Sequence, residues 1–344
     1  MIKNLFETKD IAVFQKWLDE VHNAVILAHV SPDGDAIGSS LALAAFLRGR
    51  GVDTTVVMPN AFPDFLSWMA GARDIIRYDI DKEKADELLR TADLVCCLDF
   101  NEPSRVDIVE ESLLASPARK LMLDHHLHPA DFCHLVLSYP EASSTAELTY
   151  RFIAALGGGQ EITKNIAECI YCGMMTDTGG FTYSSNDPEI YLIIYELLKR
   201  GIDKDEIYSR VNNTSSESVL RLRGYSLYEK MIVLPEFHTS IITLDRHEMK
   251  RFQCQKGDTE GLVNMPLRIG DVKLSIFLKE DTEHNYIKIS LRSKGDFPCN
   301  KLAARFFGGG GHKNASGGEF RGTMDGAMLQ LKKALISFED ELNR

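Results

Sequence analysis

The sequence predicts an α/β fold, with a doubly wound, mainly parallel sheet in the first part of the chain and a smaller α+β module at its end. Two observations lead there. Short apolar runs alternate with helix-like periodicity through the first half, the pattern of a parallel, doubly wound sheet. The chain is also 344 residues long, which is large for one core and favours two domains.

Taken in order, residues 24–29, 54–58, 92–99 and 120–124 read as strands, and residues 37–51 and 144–156 as helices. Strands that alternate with helices build parallel βαβ units. Ligands of such sheets gather beyond the carboxyl ends of the strands. A polar helical stretch over residues 203–230 is interrupted by NNTSSES (residues 212–218) and followed by Pro235, so it reads as a connection. Beyond it, strand-like runs at 239–244, 272–278 and 286–291 precede a final helix over 324–342. The expected division is residues 1–200 for the first domain, 201–232 for a helical linker and 233–344 for the second, with a cleft between domains.

A hydrophobic content of 44% and a charged content of 26% are those of a soluble globular protein. No apolar run approaches the ~20 residues of a membrane span, and MIKNLFETKD has no hydrophobic signal core. A cytoplasmic location without a membrane partner is expected. The seven cysteines show no short regular spacing, which fits a reducing compartment. Cys169 and Cys172 fall inside a helical pattern and read as core packing, because free cysteine behaves as a small hydrophobe. A net charge of −11 argues against a grip on long duplex DNA through a broad basic face, but leaves room for a short anionic substrate.

Chemistry-bearing residues collect where strands end. HVSPDGDAIGSS (residues 29–40) brings His29, Asp33 and Asp35 together on a loop after the first strand. Two carboxylates two residues apart in an irregular loop can diverge toward neighbouring cations, and an oxygen-rich shell with few imidazoles leans toward Mn or Mg. Alone, the loop is equally well read as a turn at Asp33 and Gly34 with Asp35 capping the next helix. The run 92–99 ends on Asp99, KLMLDHH ends on Asp124, His125 and His126, and GMMTDTGG carries Asp177 from a helix into a glycine pair. Each has an ordinary explanation as a cap or turn; four such placements in one domain point to a site. His128 and His134 read as surface or structural residues, and Phe181 and Tyr183 read as core aromatics that could otherwise stack a base.

In the second part, Arg292 and the run Gly308, Gly309, Gly310, Gly311, His312 bear on substrate. Consecutive glycines can turn several N–H groups toward one anion, and Arg292 and His312 would add charge-assisted hydrogen bonds to a phosphate. A flexible loop is the plainer reading of the glycines; AARFF before them and Ala315, Ser316 and Gly317 after them favour phosphate binding.

HVSPDGD, the LDF containing Asp99, Asp124-His125-His126 and GMMTDTGG resemble the four motifs of the DHH phosphoesterase superfamily over residues of about 25 to 180. FFGGGGHKNASGG (residues 306–318) resembles its associated C-terminal domain with the GGGH motif, and the whole is most similar to the nano-RNase and pAp-phosphatase branch. The resemblance implies that His29, Asp33 and Asp99 hold one divalent cation and Asp35, Asp99, His125 and Asp177 a second, with Asp99 bridging and Mn²⁺ the expected ion. It further implies that His126 faces the scissile phosphate or leaving oxygen, that Asp124 orients His125, and that homodimers are common. The implied activity is hydrolysis of short single-stranded RNA to mononucleotides and of the nucleoside bisphosphate pAp to AMP. A phosphodiesterase acting on cyclic di-AMP or linear pApA and pGpG would use the same residues. A non-catalytic nucleotide-binding module is the alternative of another class; it would be expected to lack one or more of these ligands, and none is missing.

Overall fold

The computed structural model describes residues 2–255, 257–281 and 284–344. The chain divides into two compact units, Met1–Thr214 and Ser215–Arg344. The division falls inside the NNTSSES segment. No helix among the described residues is long and apolar enough to cross a membrane.

The first unit runs α1 (Thr8–Leu18), β1 (Asn23–Leu27), α2 (Gly34–Gly49), β2 (Asp53–Met58), β3 (Ile76–Arg77), α3 (Lys82–Thr91), β4 (Leu94–Leu98), α4 (Glu110–Ala115), β5 (Arg119–Asp124), β6 (Leu135–Ser138), α5 (Thr145–Ala155), α6 (Lys164–Asp177), α7 (Pro188–Leu198) and α8 (Lys204–Asn212). Its six strands lie in the order β3-β2-β1-β4-β5-β6, and every pairing is parallel. The doubly wound expectation holds. Alternate strand residues feed two cores. Ala24, Ile26, Leu94, Cys96, Leu98, Leu121 and Leu123 face one, and Val25, Leu27, Val95, Cys97 and Met122 face the other. Burial on both faces is why these strands read as unbroken apolar runs. Cys169 and Cys172 are buried in the first core.

Chain order reverses between β1 and β4, so the loops after these neighbouring strands diverge and leave a crevice at their carboxyl ends. The two strands pair with Ile26 opposite Cys96 and Leu27 opposite Cys97. That register puts His29 and Asp99, each just past its strand, side by side.

The second unit contains α9 (Glu217–Tyr225), β7 (Ile232–Leu234), β8 (Thr239–Leu244), α10 (Arg246–Arg251), β9 (Leu274–Glu280), β10 (Ile287–Ser293), α11 (Cys299–Phe307), β11 (Gly310–His312), β12 (Ala315–Phe320), α12 (Met324–Ser337) and α13 (Glu339–Asn343). Its sheet order is β11-β12-β10-β9-β8-β7, and among the described residues only the β8–β9 pairing is parallel. Leu274, Ile276 and Leu278 face the core under α11 and α12; Phe277 faces a smaller one with Leu222 and Met249. The expected final helix breaks at Phe338, which ends α12 and precedes α13.

Candidate metal centre

His29 leaves β1 in a loop whose Asp33 is the N-cap of α2: Asp33 Oδ1 accepts from the Asp35 and Ala36 N–H groups at 3.0 and 3.1 Å. Asp33, not Asp35, is therefore the cap, which frees Asp35 to point inward from the first turn. Asp35 is 1% exposed. Its Oδ2 accepts the Thr145 N–H at 2.7 Å and its Oδ1 the Ala146 N–H at 2.8 Å, both from the start of α5. Glycines allow α2, α5 and α6 to approach this closely. A Cβ at Gly38 would lie 2.4 Å from the Cys169 carbonyl oxygen, and one at Gly173 2.6 Å from the Ala146 Cβ and 3.0 Å from Asp35 Oδ1.

Asp99 follows β4 with φ +62°, a left-handed conformation that a short polar side chain tolerates better than most. This residue joins two clusters. Its Oδ2 lies 3.3 Å from His29 Nε2, while its Oδ1 lies 3.5 Å from His125 Nε2 and accepts the Thr145 hydroxyl at 3.0 Å. His29 Nε2 is also 4.0 Å from Asp33 Oδ1. His125 Nε2 is 3.5 Å from Asp177 Oδ2 and 3.9 Å from Asp35 Oδ2. Ligand atoms of His29, Asp33 and Asp99 fall within 4.8 Å of one another, and so do those of Asp35, His125 and Asp177.

Five carboxylates, those of Asp33, Asp35, Asp99, Asp124 and Asp177, share this space with His29, His125 and His126. Burial, then the charges of Asp99 and Asp177, pushes the Asp35 carboxyl well above its ordinary value. Burial would raise Asp99 as well, yet the His29 hydrogen bond and the fields of the three imidazoles hold it below the usual carboxylate range. For His29 and His125 burial opposes the charged form, but their carboxylate neighbours, Asp99 foremost, raise both above the ordinary imidazole value. Two like charges about 4 Å apart repel by about 4 kcal/mol at an effective dielectric constant of 20. Without cations, proton binding at His29 and His125 offsets part of that repulsion; the donor set fits divalent ions that would replace those protons.

Family models match as "DHH family, N-terminal domain" over residues 23–174 and "DHHA1 domain" over residues 239–342. The bifunctional oligoribonuclease and PAP phosphatase NrnA of Thermus thermophilus is 30% identical over 321 residues, 93% of this chain and 90% of that one. The chain belongs to the DHH phosphoesterase family. Bacillus subtilis has a relative of the same name, 25% identical, with 86% of this chain and 89% of that one covered. Among solved structures, an exopolyphosphatase-related protein from Bacteroides fragilis is 54% identical, with a TM-score of 0.95 over 99% of this chain and 100% of that one.

In this DHH phosphoesterase the structure brings His29, Asp33, Asp35, Asp99, His125 and Asp177 together, and corrects one expected role. Asp124 does not orient His125. Its Oδ1 bonds His126 Nδ1 at 2.7 Å and its Oδ2 accepts the His126 N–H at 3.0 Å; His125 Nδ1 instead meets the Ala142 carbonyl at 3.3 Å. Asp177 sits at the end of a helix, α6, whereas the other donors follow strands or open α2. His134 is structural, its Nδ1 accepting the Lys120 N–H at 3.0 Å. Phe181 packs on Tyr171, whereas Tyr183 is 48% exposed and not a core residue.

In the second unit the glycine run is not an open nest. Gly308 ends α11 with φ +59°, and the Gly309 N–H bonds the Ala303 carbonyl at 3.3 Å. A Cβ at Gly309 would lie 1.8 Å from the Gly317 carbonyl oxygen, so glycine is required there by backbone contact alone. Gly310, Gly311 and His312 form edge strand β11, pairing with Gly317, Ser316 and Ala315. An edge strand still presents alternate N–H groups outward. Arg292, on β10, turns one guanidinium N–H back to the Leu291 carbonyl at 3.0 Å.

What sequence reasoning missed is the segment from Ala142 to Glu147, which contacts His125, Asp35 and Asp99. Ser144-Thr145-Ala146-Glu147 has capping-box spacing, a sign that a helix begins, but nothing in it says which carboxylates that helix end would meet.

Proposed function

We propose that this chain is a phosphoric ester hydrolase that cuts short oligoribonucleotides to mononucleotides and converts pAp to AMP, using two divalent cations. One observation carries the reading: the two oxygens of Asp99 face two separate donor groups, His29 with Asp33 and His125 with Asp35 and Asp177. Four carboxylates and two imidazoles make an oxygen-rich set that favours Mn²⁺ or Mg²⁺. Bound there, the cations would acidify a water for in-line attack and offset charge on the phosphoryl oxygens.

The protein's own groups do the rest. Asp124 holds His126 at Nδ1 and turns Nε2 toward the substrate, where it delivers a proton to the leaving oxygen. Arg292, His312, Gly309 and the β11 glycines Gly310 and Gly311 bind the substrate's terminal phosphate. A chain of net charge −11 gains little from long polyanions, which supports short substrates. The activity named for the Thermus and Bacillus relatives supports the same choice.

The test is a kcat/KM ranking with Mn²⁺ on short RNA, pAp, pApA, pGpG, cyclic di-AMP and inorganic polyphosphate. Short RNA and pAp should lead, and a chelator should stop the reaction until Mn²⁺ is returned. Turnover that survives chelation, or silence on every substrate, contradicts the proposal.

A further inference from the structure

The buried groups around the metal centre include one hydroxyl to which the mechanism assigns no role. Thr145 is fully buried at the first position of α5. Its N–H donates to Asp35 Oδ2 at 2.7 Å, while its hydroxyl donates to Asp99 Oδ1 at 3.0 Å. One residue therefore touches a carboxylate of one donor group and the carboxylate common to both. The neighbouring Ala146 N–H takes the other oxygen of Asp35 at 2.8 Å, and the Ala142 carbonyl meets His125.

This segment is anchored from behind. Ser144 caps α5 by accepting the Glu147 N–H at 3.0 Å; Glu147 Oε2 accepts the Ser143 N–H at 2.8 Å and its hydroxyl at 2.7 Å. Arg151 Nε donates to Glu147 Oε1 at 2.8 Å, and its NH1 reaches Glu189 Oε2 at 2.8 Å and the Lys3 carbonyl at 2.9 Å. The side chains of Arg151 and Glu147 are only 2% and 3% exposed. The Thr145 hydroxyl is thus mounted on a stiff support.

We propose that Thr145 is a positioning residue that makes Asp99 bridge: its hydroxyl, bonded to Oδ1, fixes the carboxylate plane so that one oxygen serves each donor group. The inference rests on the two-cation reading above. Without the hydroxyl, the Asp99 carboxylate can rotate about its terminal torsion, which is broad for aspartate, and chelate one ion with both oxygens. A residue that merely starts a helix would affect stability alone.

The test is Mn²⁺ titration with electron paramagnetic resonance on the full chain and on Thr145→Ser, Thr145→Ala and Thr145→Val. The wild type and Thr145→Ser should show the multiline pattern of an exchange-coupled pair at two Mn²⁺ per chain. Thr145→Ala and Thr145→Val should show separate-ion spectra, with the second Mn²⁺ bound about 10- to 100-fold more weakly, the usual scale for losing a ligand's hydrogen-bond partner. Melting of each metal-free variant by circular dichroism reports packing loss. Serine and alanine both lack the methyl group, so their difference reads the hydroxyl even where Thr145→Val fails to fold. Coupled spectra and unchanged second-ion affinity in Thr145→Ala overturn the inference. A wild type that never shows a coupled pair overturns the two-cation reading first, and the inference with it.

Discussion

The two donor groups are built in different ways. His29 and Asp33 are four residues apart on one loop, and Asp33's side chain is 43% exposed. His29 Nδ1 meets the carbonyl of the adjacent Val30 at 2.9 Å, a local contact. Asp35, His125 and Asp177 come from three distant segments; the first two have side chains 1% and 5% exposed, held by the start of α5 and by Ala142. The first group is a property of a loop, the second a property of the packed fold. The packed group should keep its ion longer, because its oxygens are preorganised and screened from water, whereas the loop group should exchange freely.

The largest effect should come where the groups meet. Asp99→Ala removes the carboxylate common to both, and kcat/KM should fall by on the order of 10³-fold or more, at least about 4 kcal/mol of transition-state stabilisation. Near-normal turnover would erase the distinction between the groups, since neither would need the bridge. Next in size, Asp35→Asn should lower the affinity of the more tightly held Mn²⁺ and Asp33→Asn that of the exchangeable one, each measured by calorimetry. The reverse assignment would break the comparison.

A pH series sharpens it further. His29 and His125 have folded-state values raised above the ordinary 6.5, and Asp35 is raised well above 3.8. Raised values mean that the folded, metal-free protein binds these protons more tightly than the unfolded chain. Their stabilising contribution is complete below the unfolded values and is lost as pH rises through the folded ones. Metal-free protein in a chelator should therefore melt at a lower temperature as pH is raised above 6.5, whereas Mn²⁺-loaded protein should not. A metal-free Tm that rises over that range would contradict the assignment. The smallest effect lies outside both groups: Arg292→Ala should raise KM about tenfold with kcat nearly unchanged, as lost uniform binding does.

This contrast also explains what the sequence made legible. The loop group is written locally, in HVSPDGD, and the strand ends Asp99 and Asp124-His125-His126 could be placed because short apolar runs alternating with helical patterns mark the strands of a parallel sheet. Strands β3 and β6 escaped notice at two and four residues long, too short to carry a pattern. Asp124's partner is not legible because both following histidines lie within reach of a short carboxylate, and only the backbone after β5 decides which ring turns back. The glycine run is only half legible: sequence records that a side chain is excluded, but not whether a ligand or, as at Gly309, the Gly317 carbonyl excludes it.

The central claim is that Asp99 sits between two cations. Crystals grown with Mn²⁺ and measured at the manganese absorption edge should show two anomalous peaks about 3.5–4 Å apart, one beside His29 and Asp33 and one beside Asp35, His125 and Asp177, with an Asp99 oxygen on each. A single peak, or Asp99 turned wholly toward one ion, would contradict it.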